Sequence, residues 1–321
     1  MSAEAEKDAG WIDCAKIDQI LSQPLRIISS VDGSEASMCG FEYAIKGLMS
    51  SDKQAHVFVT HIYDESKTYL PVEYRKDSIQ SKCEAICTSS LLPDRYDLHF
   101  FQRKDTGEKV GTQIMNEIVE RQADFICMGW RGRKERKAKS DAMAASNVMG
   151  VMERGKCTTI VIQNEDVQAL PLGRPAVFVV SASLNQASTK AFIDALRLSK
   201  PGDHIHVVYV KSYLERAESD YTAAMRQKYS GFFEGLKDSN EAVLSKYGDR
   251  NTVFTMLEKR RLETTAQAVA RHCDAVDADF IVVGTNTMRV ERGKEHLGSV
   301  SRQIILDCNR NFIVSNWTPG S

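Results

Sequence analysis

No stretch of this 321-residue chain approaches the ~20 consecutive apolar residues of a membrane-spanning helix. The opening "MSAEAEKDAGW" has neither the basic start nor the apolar block of a secretory signal. A soluble intracellular protein is expected, in the cytoplasm or, as the alternative, the nucleus. A dominant charge is missing too. Lys and Arg number 42 against 43 Asp and Glu, so the formal net charge of −1 gives no global pull toward nucleic acid or membrane.

A disulfide framework is absent: the eight cysteines are scattered singly except for Cys83 and Cys87, and they fit reduced core residues. Those two would share a helix face, but no second ligand pair stands nearby to complete a tetrahedral zinc site. His204 and His206 fall on one strand face with no carboxylate in reach, and read as strand-start histidines. No metal site is expected. Catalytic signatures are missing as well: no Gly-x-Ser-x-Gly elbow, no Walker-type Gly-x4-Gly-Lys-Ser/Thr, and no His-Glu-x2-His pair. "SVDGS" lacks the glycine pair of an ATP-pyrophosphatase loop. No base is positioned for water, and no catalytic residue is assigned.

What is present is repetition. "ADFICMG" from Ala123 returns as "ADFIVVG" from Ala278, 155 positions later. "LRIISSVDGSEAS" from Leu25 corresponds to "AVFVVSASLNQAS" from Ala176, and "HVFVTHIY" from His56 to "HIHVVYVK" from His204. The chain is a duplication. Short apolar runs alternate with helical periods, which predicts parallel strands joined by crossover helices. Strands are expected near 25–31, 56–63, 96–104, 124–129 and 158–163, then near 176–182, 204–211, 251–259, 279–284 and 311–315. Helices are expected near 35–49, 73–91, 107–122 and 144–154, then near 186–199, 221–247, 263–276 and 299–308. The fold class is α/β: two tandem doubly wound five-stranded parallel-sheet domains, each opening a crevice at the carboxyl ends of its strands. The expected boundaries are an extension over 1–23, domains over 24–165 and 175–316, a Pro- and Gly-containing linker over 166–174, and a tail over 317–321.

Both halves resemble universal stress protein domains. That family's fingerprint is an Asp after the first strand and Gly-x2-Gly-x9-Gly-Ser/Thr after the fourth. The resemblance implies an adenine-nucleotide-hydrolase-like fold, a tandem pair packed as an intramolecular pseudo-dimer, and a regulatory role in stress response. Some members bind ATP or a related adenine nucleotide, with Mg as a companion, and some bind none; slow ATP hydrolysis occurs in the family.

Carried onto this chain, the first-half nucleotide site takes Asp32, Gly129, Gly132 and Ser146, with Arg131 and Arg133 available to meet phosphate charge. Ala145 stands in the third glycine position, after a 12-residue spacer. The second-half site takes Gly284, Thr287, Gly298, Ser299 and Val300, where helix-start amides would cradle a phosphate. There Thr287 replaces the second glycine and Ser183 the Asp, which removes the acceptor for ribose hydroxyls.

Three functions follow from these residues. The first is a nucleotide-responsive regulator. The second is a degenerate scaffold working through protein partners or self-association. The third, ranked last, binds nucleic acid through the basic loop 131–139, where no aromatic interleaves except Trp130 at its edge.

Overall fold

A computed structural model describes residues 19–103, 108–131, 146–211, 220–237, 247, 250–286, 290–291, 294–295 and 297–317. The chain divides into two compact units. The first unit is Pro24–Leu172; the second is Gly173–Ser321 together with the segment ending at Gln23. Of the N-terminal extension, only its last turn is described. Leu21 is fully buried there, and its carbonyl accepts the Tyr247 hydroxyl at 3.0 Å.

In the first unit the strands are β1 (Arg26–Ser30), β2 (His56–Tyr63), β3 (Tyr96–Gln102), β4 (Phe125–Gly129) and β5 (Thr158–Ile162). They lie in the order β3-β2-β1-β4-β5, all parallel. The crossovers are α1 (Glu35–Glu42, widening into a π-helical stretch over Tyr43–Leu48), α2 (Lys76–Ser90), α3 (Val110–Glu120) and α4 (Ser146–Arg154). The π stretch is a departure from the plain helix predicted there, of the kind that accommodates an extra residue in a turn.

The second unit repeats the scheme. Its main strands are β6 (Val177–Ser181), β7 (His204–Lys211), β8 (Asn251–Glu258), β9 (Phe280–Asn286) and β12 (Asn311–Trp317), in the order β8-β7-β6-β9-β12. Its helices are α5 (Gln186–Leu198), α6 (Asp220–Lys237), α7 (Thr265–Ala275) and α8 (Ser299–Asp307). Between β9 and α8 lies a short antiparallel pair, β10 (Val290–Glu291) with β11 (Lys294–Glu295). Residues 238–246, predicted as helix, lie outside the described set.

The β-branched runs form strands because both faces are covered: β4 and β5 are buried at every residue. Helix starts are fixed by side-chain caps. Ser34 accepts from Ser37 N–H, Asn185 accepts from Ser188 N–H, and Thr264 forms a capping box with Gln267. Duplication extends to backbone detail, since Gln122 and Asp277, 155 apart, both end their helix in the left-handed region at φ 49°.

The amino ends of the first strands are closed by carboxylates in the same way in both units. Asp124 accepts Arg26 N–H at 3.1 Å, and Asp279 accepts Val177 N–H at 2.9 Å. Asp52 accepts Leu25 N–H at 3.3 Å, and Asp203 accepts Ala176 N–H at 2.8 Å. These bonds satisfy buried amides that no ladder reaches. One end of each sheet is therefore sealed, and the carboxyl end carries the variable loops.

The seven described cysteines are free and buried. Burial pushes the thiols of Cys39, Cys83, Cys87 and Cys273 up to about 12 and that of Cys308 to about 11. Thiolate, the reactive form, is thus suppressed. Titration of the native protein with a thiol reagent should label no more than Cys14 rapidly, with all eight cysteines reacting in denaturant. Rapid labelling of several native thiols would contradict this burial.

His206 and His272 are held below the usual imidazole range, first by burial and then by neighbouring positive charge. A depressed folded pKa makes the unfolded chain the better proton acceptor. Stability from these groups is complete above ~6.5 and is lost as pH falls through that value toward the folded pKa. The decline of denaturant midpoints as pH falls below ~6.5 should be weakened in His272→Asn. A midpoint that rises on acidification to pH 6 would contradict the sign.

Candidate functional site at the carboxyl ends of the strands

Strand order reverses beside β1, which is flanked by β2 on one side and β4 on the other. The chain leaves β1 for a helix on one face of the sheet and leaves β4 for a helix reached from the other. The two loops diverge and leave a crevice. In the first unit this crevice holds a cavity of about 90 Å³ that opens to solvent, with Asp32, Ser37, Arg131 and Asn147 among its polar lining. Apolar walls come from Val31, Ile62, Val110, Ile114 and Met128. A few convergent polar groups in an apolar cleft is the composition of a small-molecule site.

The loop "VDGS" owes its shape to its residues. Gly33 takes φ +83°, and Asp32 Oδ1 accepts Ser34 N–H at 2.9 Å, so the carboxylate is held by its own turn. Asp32 N–H donates to Ser37 Oγ at 3.2 Å. Ser34 Oγ, besides capping α1, donates to the carbonyl of Arg131 at 3.2 Å and ties the two crevice loops together. Trp130 is buried and offers no exposed face for base stacking, and its backbone N–H donates to the Ile162 carbonyl at 2.8 Å.

The glycine ending β4 has a reason the fingerprint alone does not give. A Cβ on Gly129 would collide with the backbone of Ala36 and Ser37 at the start of α1, lying 2.7 Å from the Ala36 oxygen. Gly284 stands the same way against Ala187 and Ser188, where a Cβ would lie 2.8 Å from the Ser188 nitrogen. These two glycines let a helix start touch a strand end.

The predicted site residues are thus brought together in part. Asp32, Gly129 and Arg131 meet in the first-unit crevice; Ser146 begins α4, whose next residues Asn147 and Val148 line it. Gly132, Arg133 and Ala145 lie outside the described residues, as do the other basic residues of loop 131–139. Asn147 was missed by the sequence reading; its place right after the fingerprint serine was the available signal.

In the second unit Ser183 repeats the first-unit backbone bond, its N–H donating to Ser188 Oγ at 2.8 Å, but it brings no carboxylate. Gly298 caps α8 without a side-chain hydrogen bond, and Ser299 and Val300 are exposed. A Cβ on Gly298 would meet only Ser301 Oγ, at 4.0 Å. Thr287 lies outside the described residues.

Behind this loop, α6 supplies three unforeseen contacts. The Tyr229 hydroxyl donates to the Ser183 carbonyl at 3.3 Å, Lys228 Nζ donates to the Leu184 carbonyl at 3.3 Å, and Leu184 N–H donates to the Tyr221 hydroxyl at 3.1 Å. Lys228 is buried, and burial pulls its ammonium down to about 8. A lysine on a helix of mixed pattern gave no signal of that burial.

Residues 25–163 match the model described as Universal stress protein family. The second half, with the same strand order, fits a tandem arrangement. Among solved structures, the chain is similar to a universal stress protein from Archaeoglobus fulgidus DSM 4304, with a TM-score of 0.60 and 15% identity over 91% of this chain and 98% of that one. It is also similar over 44% of its length to universal stress protein UspA from Lactobacillus plantarum, at 17% identity and a TM-score of 0.35, covering 99% of that chain. A universal stress protein solved in complex with cAMP matches 44% of this chain and 98% of its own at 13% identity and a TM-score of 0.32. No curated protein matches in sequence. Among the described residues no helix is long and apolar enough to cross a membrane.

The glycine geometry makes a contrast that can be measured. Gly129→Ala and Gly284→Ala should each destabilise by about 1–3 kcal/mol, because backbone must move to admit the methyl. Gly298→Ala, which only replaces a glycine N-cap, should cost less, under about 1 kcal/mol. Urea midpoints of the three variants check this, and equal costs at all three positions would refute it.

Proposed function

We propose that this chain is a nucleotide-responsive regulatory protein of the stress response, whose first half binds ATP or a related adenine nucleotide. The observation that carries the reading is the first-unit crevice at the strand-order reversal, with a turn-held carboxylate on one side and a helix start on the other. Asp32 would accept from the ribose hydroxyls, a charge-assisted contact of ~1.5–3 kcal/mol. The amides opening α4 would face the phosphates, where aligned peptide dipoles favour negative charge. Arg131 at the rim would add charge, and Mg would accompany a triphosphate. Val31, Ile62 and Ile114 supply an apolar seat for a base.

The donor set fits the nucleoside end of such a ligand. In the second half Ser183 leaves no carboxylate for a ribose, so any ligand at Gly298, Ser299 and Val300 would be held through phosphate alone. The reading is of a binding regulator: the protein senses the nucleotide and passes the state to partners.

Thermal unfolding with ATP, ADP and AMP, each with magnesium, tests this. At about a hundredfold excess over the dissociation constant, binding to the folded state alone adds ~2.7 kcal/mol, a shift of several degrees. Asp32→Ala should abolish the shift and Ser183→Ala should keep it. No shift with any nucleotide would leave the scaffold reading in its place.

A further inference from the structure

The two halves differ sharply in the region where α3 or α7 covers its sheet near the amino ends of the strands. In the first half this is a charge cluster. Arg26 and Arg121 lie over the Phe58 ring at 5.2 and 5.6 Å, Glu117 approaches His99 at 2.8 Å, and Asp97 approaches His56 at 3.1 Å. Applying the repeat to the second half puts Val177 in place of Arg26, Val276 in place of Arg121, Val253 in place of Asp97, His206 in place of Phe58 and His272 in place of Glu117. Both guanidinium groups and both carboxylates are gone, and two imidazoles stand in the middle.

The structure brings those imidazoles together although 66 positions separate them in sequence. β7 carries His206 and α7 carries His272, with ring centroids 5.5 Å apart and planes inclined at 59°. The Nε2 atom of His272 is buried and has no hydrogen-bond partner. An imidazole nitrogen without a partner is an unmet electron-pair or N–H demand, and the two rings are inclined rather than stacked.

We propose that His206 and His272 form a two-imidazole site for a borderline transition-metal cation such as Zn²⁺, with water completing its coordination. With Zn–N bonds of ~2.0–2.1 Å, two imidazoles on one ion have centroids roughly 5–6 Å apart, which is the separation found here. An imidazole ligates through the lone pair of an unprotonated ring nitrogen. The charged or titratable groups beside the two rings are His204, two residues along the same strand face, and Arg271, whose guanidinium is engaged by Glu263 at 2.9 Å. Val253, level with His206 on the adjacent strand, is exposed, so the pair lies near solvent and water can reach the ion. Among the described residues no third His, Cys, Asp or Glu completes a cluster, which sets the class of the site: two protein ligands, open positions, and moderate affinity.

The site is independent of nucleotide binding and can be tested without it. Zn²⁺ is titrated into the full chain by calorimetry. One ion per chain is expected to saturate, His206→Asn and His272→Asn are each expected to weaken binding at least tenfold, and His56→Asn, in the first half, is expected to leave it unchanged. Because either variant could perturb folding, ring resonances of the wild-type protein give a second reading: signals of two of its seven histidines should shift together on Zn²⁺ addition. No saturable binding, undiminished binding in both second-half variants, or a Zn²⁺ response spread over all histidines would overturn the proposal.

Discussion

The contact on which the rest depends is the touch between the end of the fourth strand and the start of the first helix in each half. Gly129 against Ala36 and Ser37, and Gly284 against Ala187 and Ser188, bring two backbones closer than any side chain allows. That approach places the first-strand loop and the fourth-strand loop side by side, and the Ser34 hydroxyl then bonds across them to Arg131. A crevice at the strand-order reversal follows from topology, but its narrowness follows from glycine. The paired carboxylates at the opposite end, Asp52 with Asp124 and Asp203 with Asp279, close the amino ends of the first strands in both halves.

Against this shared frame the halves have diverged in chemistry. The first keeps a carboxylate on the turn after β1 and a crevice lined by Asp32, Arg131 and Asn147. The second has replaced the carboxylate by Ser183 and braced the loop from behind with Tyr221, Lys228 and Tyr229. At the other end the exchange runs the opposite way: the first half has a charge cluster of arginines and carboxylates, and the second has His206 and His272. The glycine contact and the strand-end carboxylates are common to both halves.

Most of the fold was legible because its signals are local or periodic. Apolar runs of five to eight residues marked the strands, and the 155-residue echo of "ADFI" marked the repeat. Asp32, Gly129 and Arg131, singled out through the resemblance to the family fingerprint, line one crevice in the first unit. What was hidden depends on tertiary placement. No pattern announces that Lys228 is buried beneath a loop, that Trp130 turns inward, or that His272 on a helix meets His206 on a strand. The π-helical stretch in α1 was likewise invisible, since its residues fit an ordinary helix.

The most direct test of the account is hydrogen exchange of the full chain with and without saturating ATP and magnesium. The account expects slowed exchange at Val31–Ser37 and in the first turn of α4, with little change at Ser181–Ser188. Unchanged exchange throughout, or protection confined to the second half, would contradict it.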